Sequence, residues 1–307
     1  MVAGLNSGQV FLVNQAQDFN WQDYTVHDKV HPNKAGAEKM ATVWFEALKK
    51  VLASSETVFS PDIVRYKTLE NGDSLALHIF KPRNMQAGEK RPVIVYFFGG
   101  GWKLGTPLQF YRECAYYASK GMVAVSVDYR IEYLHHSTPF DSFEDAKDAI
   151  CWLRSHASDY QLDPDKIAVA GGSAGGHLAA ALGTIGSDEA VNYRPNLSVL
   201  YYPVVDMVSR GYGFPEIKRD FEKISPIHHV SEATPSTLIL LGTKDPIVSV
   251  ETIRSYQDKL LQKGVDCELH LFEGAGHPIF LYRKPLTEDY YKVRKLTDDF
   301  LKREGFL

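Results

Sequence analysis

The chain has 307 residues, of which 44% are hydrophobic and 23% charged, and it carries a formal net charge of −4. These values are ordinary for a globular protein, and Lys and Arg are too scattered to form the basic stripe of a nucleic-acid-binding surface. No apolar run approaches the roughly 18 residues that span a membrane, and the N-terminus has neither the basic region nor the cleavage site of a secretory signal. We therefore expect a cytoplasmic protein, unless the chain is a fragment of a secreted parent. Its expected partner is a small or neutral molecule, and neither nucleic acid nor a membrane.

Residues 1–55 lack the regular alternation of strands and helices that follows them. An apolar run at 10–13 precedes a polar loop. A helix is predicted over 33–52 because apolar residues recur there at helical spacing, namely Met40, Val43, Trp44, Leu48 and Val51. A domain boundary is expected near residue 56, which gives a short N-terminal appendage (1–55) and a main domain (56–307).

From residue 62 onward, apolar runs too continuous for half-exposed strands alternate with helix-like stretches. Such β-branched runs are typical of strands buried on both faces of a parallel sheet. The first two strands are predicted to form a hairpin around Asn71-Gly72-Asp73. The eight predicted strands span 63–69, 75–80, 92–98, 122–128, 166–171, 197–205, 236–242 and 267–272. The predicted helices span 108–120, 141–157, 174–185, 249–263 and 285–303. This order predicts an α/β fold with an eight-stranded, mostly parallel sheet flanked by helices.

The sequence Gly171-Gly172-Ser173-Ala174-Gly175 lies between a predicted strand and a helix-like segment. GxSxG in this context is typical of a nucleophilic serine, because the sharp turn lifts the hydroxyl clear of the sheet and sets it near a helix N-terminus. We therefore predict that Ser173 is a nucleophile. A glycine-rich phosphate-binding loop is the alternative, but the Walker lysine and the GxGxxG spacing are absent.

Three consecutive glycines, Gly99, Gly100 and Gly101, follow another predicted strand and precede Trp102. Their backbone N–H groups have no side-chain cover and suit the oxyanion that develops in acyl transfer, where one such donor contributes about 10²–10³ in rate. We predict an oxyanion hole formed by the N–H groups of Gly100, Gly101 and Ala174. A flexible loop is the alternative for a glycine run taken alone.

An acid and a base follow two later strands. Asp245 comes just after the strand at 236–242, at the sheet edge where open α/β sheets bind ligands. His277 comes after the last strand, in a loop whose glycines allow it to fold back toward Ser173. The order Ser, Asp, His is the one used by α/β-hydrolases. We predict that His277 moves the serine proton and that Asp245 fixes the imidazole tautomer.

Neither a metal nor a cofactor is expected, because no His, Asp or Glu residues cluster at ligand spacing. We interpret His177, at the start of the helix after the serine, as structural. The cysteines are odd in number and include no CxxC pair, so all three are interpreted as buried thiols: Cys114, Cys151 and Cys267.

Residues 62–307 resemble the α/β-hydrolase fold, in particular its hormone-sensitive-lipase-like and feruloyl/acetylxylan-esterase-like branches. The resemblance rests on ordered motifs: the triple glycine before Trp102, Asp128-Tyr129-Arg130, Asp163-Pro164-Asp165-Lys166-Ile167, the GGSAGG run, Gly242-Thr243-Lys244-Asp245 and Gly276-His277. It implies a catalytic triad of Ser173, Asp245 and His277. Two departures stand out. Phe98 replaces the histidine that usually precedes the glycines and must hold the loop by packing, and Gly172 replaces an often acidic residue.

The N-terminal appendage resembles the last catalytic block and C-terminal helix of SGNH (GDSL-type) esterases, through Asp28-Lys29-Val30-His31 and the helix after it. In that family this Asp and His serve a serine near the start of the domain, but no GDS block exists here. We therefore interpret Asp28 and His31 as a remnant without a catalytic role. The appendage could pack on the main domain or mediate contacts in a homo-oligomer.

An insertion at 206–230 predicts a small lid over the site. The short lid and bulky Trp102 favour a short acyl group such as acetyl, and the candidate substrate contacts are Trp102, Tyr212 and Phe214. By family resemblance, the combination of an α/β-hydrolase with a second type of esterase is commonest in enzymes that remove acetyl groups from plant polysaccharides. This resemblance favours a carbohydrate acetylesterase or acetylxylan esterase that acts on a small-molecule or oligosaccharide ester. The alternatives are a feruloyl esterase, an amide hydrolase of the arylformamidase type, and a non-catalytic binding module on a degenerate hydrolase.

Overall fold

The structure is a computed structural model that describes residues 23, 33–54, 60–83, 85–186, 193–207, 220–282 and 286–307, with the backbone alone for 46–54. The chain divides into two compact units, Met1–Ser60 and Pro61–Leu307.

The described part of the first unit is essentially one helix, α1 (Lys34–Ser54). It begins where the Asn33 side chain accepts a hydrogen bond from the Gly36 N–H at 2.9 Å, as an N-cap residue does. Trp44 and Phe45 on this helix are exposed. The apolar run at 10–13 and the predicted remnant residues Asp28 and His31 lie outside the described residues.

The second unit is built on one eight-stranded sheet with the order β1-β2-β4-β3-β5-β6-β7-β8. β1 pairs antiparallel with β2, and β2 with β4, while all other neighbours are parallel. The predicted eight-stranded, mostly parallel α/β-hydrolase sheet is confirmed. The strands are β1 (Asp62–Thr68), β2 (Ser74–Phe80), β3 (Arg91–Phe97), β4 (Val123–Val127), β5 (Leu162–Gly172), β6 (Leu197–Tyr201), β7 (Ser236–Gly242) and β8 (Cys267–Phe272).

Helices cover the sheet at the positions where the sequence predicts them, and two short helices are additional. They are α2 (Tyr111–Ser119), α3 (Glu132–His135), α4 (Pro139–Ser155), α5 (Ala157–Tyr160), α6 (Ala174–Thr184), α7 (Val250–Gln262) and α8 (Glu288–Arg303). The four-residue α3 and α5 were not predicted, because segments this short carry no periodic apolar pattern. No helix among the described residues is long and apolar enough to cross a bilayer.

The register of the parallel strands brings their carboxyl ends to one edge of the sheet. Phe97 of β3 pairs with Gly171 of β5, and Gly242 of β7 pairs with Phe272 of β8. The loops that follow these strands therefore leave from the same edge, which is where an α/β sheet places its ligand site.

Two sequence predictions need correction. β6 ends at Tyr201 rather than at 205, because Tyr202 has a left-handed backbone with φ 39° and Pro203 has no N–H to donate to a neighbouring strand. Cys114 and Cys267 are buried free thiols, but Cys151 is only half-buried. Cys151 follows Ile150 on α4 and so lies off the buried face of that helix.

Candidate active site

The predicted nucleophile, Ser173, lies at the sharp turn between β5 and α6, with a strained backbone at φ 56° and ψ −118°. The glycines around it are required by close backbone packing. A Cβ at Gly171 would lie 2.3 Å from the Gly175 carbonyl oxygen, and a Cβ at Gly175 would lie 2.0 Å from the Phe97 carbonyl oxygen. The Ser173 N–H donates to the Tyr201 carbonyl at 3.0 Å. The turn is thus locked between β3 and β6, and a non-glycine residue tolerates such a φ only under constraints of this kind.

Ser173, His277 and Asp245 form one hydrogen-bonded chain. His277 Nε2 lies 2.8 Å from Ser173 Oγ, and His277 Nδ1 lies 2.7 Å from Asp245 Oδ2. The Asp245 side chain is fully buried and the His277 side chain is 13% exposed. Three residues from separate loops, predicted as a triad, are therefore brought together in hydrogen-bonding order.

The Asp245 carboxylate is held in its ionised form. Burial alone would raise its pKa, but hydrogen bonds from His277 and from the Val248 and Ile247 N–H groups lower the pKa below its ordinary value. Both backbone donors reach Oδ1, at 2.9 and 2.8 Å. An ionised carboxylate against Nδ1 favours the tautomer with the proton on Nδ1, which leaves the Nε2 lone pair facing the serine hydroxyl. Such an imidazole can act as a general base.

The glycine loop after β3 packs directly on the nucleophile turn. A Cβ at Gly99 would lie 2.8 Å from the Gly172 carbonyl oxygen and 3.4 Å from Ser173 Cβ. Gly100 and Gly101 have positive φ angles of 142° and 65°, so the loop needs glycine there. Within the described residues, the N–H groups of Gly100, Gly101 and Ala174 have no hydrogen-bond acceptor. They are therefore available to a ligand beside Ser173, and their role as an oxyanion hole remains a prediction.

Phe98 replaces the usual histidine and holds this loop by packing, as the sequence predicts. Its buried ring stacks on Tyr129 with centroids 4.0 Å apart, and the Tyr129 hydroxyl donates to the Phe98 carbonyl at 2.6 Å. The Gly99 N–H donates to Gln109 Oε1 at 2.6 Å. Sequence reasoning missed Tyr129 and Gln109 as loop supports, although Tyr129 lies in one of the motifs quoted above.

Trp102 and His177 form a buried pair beside the glycine loop. Trp102 is 1% exposed, and its ring stands nearly perpendicular to the His177 imidazole, with centroids 5.1 Å apart. His177 Nε2 lies 2.6 Å from the Ile224 carbonyl oxygen, and burial lowers the His177 pKa to about 4. This neutral, buried ring has a packing role. Trp102 packs in the same way, so its contact with substrate stays a prediction. The other two predicted contacts, Tyr212 and Phe214, lie outside the described residues.

Known proteins that are similar to this chain also include esterases. Residues 77–209 match the BD-FAE family. A thermophilic esterase from the planctomycete Thermogutta terrifontis is 37% identical in sequence, and the match covers 80% of this chain and 93% of that one with a TM-score of 0.76. The same esterase has been solved with propionate and with butyrate bound.

Two of the curated relatives that match are also esterases. Esterase LipC of Mycobacterium tuberculosis is 30% identical over 66% of this chain and 56% of its own length. An acetylxylan esterase of Xylanibacter ruminicola is 25% identical over 62% of this chain and 42% of its own length. The chain spans about half the length of the curated relatives that it matches.

The fold and the hydrogen-bonded Ser–His–Asp chain define the class of α/β-hydrolases. Because the similarity to the Thermogutta esterase extends over nearly the whole of that chain, the present chain belongs to the esterase family of this fold.

Proposed function

We propose that this chain is a serine carboxylesterase that hydrolyses short-chain acyl esters through Ser173, His277 and Asp245. The observation that carries the proposal is the unbroken hydrogen-bond chain from Asp245 through His277 to Ser173 Oγ, with distances of 2.7 and 2.8 Å. Its position beside a glycine loop with unpaired N–H groups supports the same reaction class.

In the proposed acylation step, Ser173 Oγ attacks the ester carbonyl carbon while His277 Nε2 takes the hydroxyl proton. The tetrahedral intermediate then expels the alcohol, to which the imidazolium returns that proton. In deacylation a water molecule attacks the acyl-enzyme, His277 accepts a proton from it, and the proton returns to Ser173 as the carboxylic acid leaves. Asp245 stays ionised throughout and stabilises the imidazolium.

The N–H groups of Gly100, Gly101 and Ala174 are proposed to bind the oxyanion of both tetrahedral intermediates. In a desolvated site each such donor contributes about 3–4 kcal/mol of transition-state stabilisation. The positive φ angles of the two loop glycines and the close packing of the loop on Gly172 support a preformed arrangement that needs no reorganisation during the reaction.

A short acyl group, with acetyl as the first choice, is the proposed specificity. Residues 202–235 alone connect β6 to β7, which leaves little chain for a large lid. Propionate and butyrate occupy the related Thermogutta esterase, and one relative is an acetylxylan esterase. These similarities support a small acyl pocket and, as the finer proposal, an acetylated carbohydrate as substrate.

The N-terminal segment that resembles SGNH esterases is proposed to have no catalytic role. The second unit alone provides a nucleophile, a base and an acid in hydrogen-bond contact, so Asp28 and His31 have no reaction left to serve. Replacing both by alanine is expected to leave kcat/KM for an aryl acetate unchanged within about twofold.

The substrate proposal is tested by kcat/KM across p-nitrophenyl esters from acetyl to dodecanoyl, together with acetylated xylan, feruloylated arabinoxylan and N-formylkynurenine. We expect the highest values for acetyl to butyryl esters and release of acetate from acetylated xylan. Equal or faster turnover of octanoyl and longer esters would contradict the short-chain proposal. Preferential hydrolysis of the feruloyl ester or of N-formylkynurenine would replace it with a feruloyl esterase or an amide hydrolase.

A further inference from the structure

Tyr202, the first residue after β6, has an unusual conformation for a bulky residue. Its φ of 39° lies in the left-handed region, where residues with a Cβ are strained, yet the side chain is buried and only 5% of the residue is exposed. Its N–H donates to the Leu240 carbonyl of β7 at 2.7 Å. Strain of this kind persists only where the surroundings enforce it, and it concentrates at functional sites.

The phenol ring of Tyr202 lies between two parts of the candidate active site. A Cβ added at Gly172 would lie 2.7 Å from Tyr202 Oη, 2.9 Å from Cζ and 3.0 Å from Cε2. The ring centroid lies 4.8 Å from that of His277, with an angle of 62° between the planes. The space that a side chain at 172 would fill is therefore already occupied by the group that contacts the imidazole.

The backbone around Tyr202 is tied to the nucleophile itself. The residue before it, Tyr201, accepts the Ser173 N–H at 3.0 Å, and Val204, two residues after it, donates to the Ser173 carbonyl at 3.5 Å. Tyr202 thus sits in a segment whose backbone brackets Ser173 while its side chain contacts His277. One residue links the positions of the two groups that exchange a proton.

We propose that Tyr202 is a positioning residue for the esterase reaction proposed above, on which this inference rests, and that Gly172 is its required complement. Asp245 holds the imidazole through Nδ1, and a single hydrogen bond at that atom would by itself let the ring swing about it. The Tyr202 ring blocks this swing and keeps Nε2 directed at Ser173 Oγ. Misplacement of a reacting group by about 1 Å can cost about 10²-fold in rate, so we expect this contact with the imidazole to affect kcat.

Four variants test the pair: Tyr202→Phe, Tyr202→Ala, Gly172→Ala and the double variant Gly172→Ala/Tyr202→Ala. Tyr202→Ala is expected to lower kcat about 10- to 100-fold with KM changed less than about twofold, because positioning acts on the reacting step. Tyr202→Phe keeps the ring and should retain at least about a third of kcat. In the parent chain, Gly172→Ala should lower kcat at least about 10-fold because the new methyl group displaces the phenol. In the Tyr202→Ala background the same substitution should lower kcat only about threefold or less, because the clash is already removed.

A second readout separates this inference from the esterase proposal. The Nδ1 proton of a histidine hydrogen-bonded to a carboxylate gives a low-field NMR resonance, which should persist in Tyr202→Phe and broaden or vanish in Tyr202→Ala and Gly172→Ala. Thermal melting confirms that each variant is folded. If the parent chain hydrolyses no ester, the proposed function fails, but the resonance still decides the role of Tyr202. An unchanged resonance in Tyr202→Ala, or additive effects of Gly172→Ala and Tyr202→Ala on kcat, would overturn the inference.

Discussion

The two sides of the candidate site are held in place by different means. On the nucleophile side, backbone packs against backbone, so that Gly99, Gly171 and Gly175 leave no room for a methyl group. On the histidine side, the half-exposed loop that carries His277 is held partly by backbone, since the Lys244 N–H donates to the Ala275 carbonyl at 2.9 Å. It is also held by a side-chain hydrogen bond from His277 to Asp245 at 2.7 Å. The nucleophile turn is positioned mainly by backbone packing, whereas the position of the base depends on particular side chains as well as on backbone contacts.

The aromatic residues beneath the His277 loop extend this side-chain support. Phe280 stacks on Tyr290 of α8 with centroids 5.0 Å apart and lies 4.6 Å from Tyr201 of β6. We expect the position of the base to be more sensitive to loss of a side-chain partner, and the nucleophile turn to be more sensitive to a change at its glycines. The following predictions separate the two cases.

The largest effect is expected from Asp245→Asn, on the histidine side. The asparagine amide keeps the shape of the carboxylate but removes its negative charge, and it favours the His277 tautomer with the proton on Nε2 instead of Nδ1. We therefore expect kcat to fall about 10⁴-fold. Steady-state kinetics with p-nitrophenyl acetate measures it, and circular dichroism confirms that the fold is intact. A loss below about tenfold would show that Asp245 does not set the tautomer.

The next prediction compares two glycines, one from each side. A Cβ at Gly175 would lie 2.0 Å from the Phe97 carbonyl oxygen, whereas a Cβ at Gly276 meets nothing within 4 Å. Gly175→Ala is therefore expected to lower kcat/KM by at least about 10²-fold, because the turn must shift by a distance that matters for catalysis. Gly276→Ala serves as the matched control and should stay within about threefold. Equal losses in both variants would remove the distinction between the two sides.

A smaller effect is expected from Tyr129→Phe, which deletes the buried hydrogen bond to the Phe98 carbonyl but keeps the stacked ring. An unsatisfied buried carbonyl costs about 1–3 kcal/mol, and we expect a comparable fall in the free energy of unfolding measured with urea. The glycine loop should also loosen, with kcat lowered by about tenfold or less. Unchanged stability and unchanged kcat would show that the stacked rings alone hold the loop.

The smallest effect on catalysis, together with a clear effect on stability, is expected from a substitution of Asp128, a second acidic residue at the same edge of the sheet. Asp128 follows β4 as Asp245 follows β7, yet burial raises the pKa of Asp128 from 3.8 to about 6, with His135 opposing and Asp145 adding to the rise. Because the folded state holds this proton more tightly, stability is lost as pH rises from about 4 to 6 and the loss is complete above pH 6.

Asp128→Asn should therefore stabilise the protein at pH 7.5 by about 1–2 kcal/mol, somewhat less than the pKa difference alone implies because the group is not fully desolvated. The gain should shrink toward zero as pH falls to 4. Urea unfolding at both pH values measures it, and a gain that does not change with pH would contradict the assignment of a raised pKa.

Sequence patterns predict those parts of the candidate site that depend on a few neighbouring residues. The GxSxG turn, the glycine run and the order Ser173, Asp245, His277 are readable because each depends on a few neighbouring residues. The support of Phe98 by Tyr129, the pairing of Trp102 with His177 and the conformation of Tyr202 depend on residues far apart in the chain, and no periodicity encodes them. Sequence alone does not tell a buried indole from an exposed one, so the burial of Trp102 could not be predicted from the glycines that precede it.

The central claim, that Ser173 is an activated nucleophile, is tested most directly by covalent labelling. Incubation with an aryl organophosphate such as paraoxon, followed by intact-mass and peptide mass spectrometry, should show one phosphoryl adduct per chain, located on Ser173, with parallel loss of esterase activity. Ser173→Ala should take up no adduct and hydrolyse no p-nitrophenyl acetate above background. An adduct on another residue, or full esterase activity in Ser173→Ala, would contradict the account.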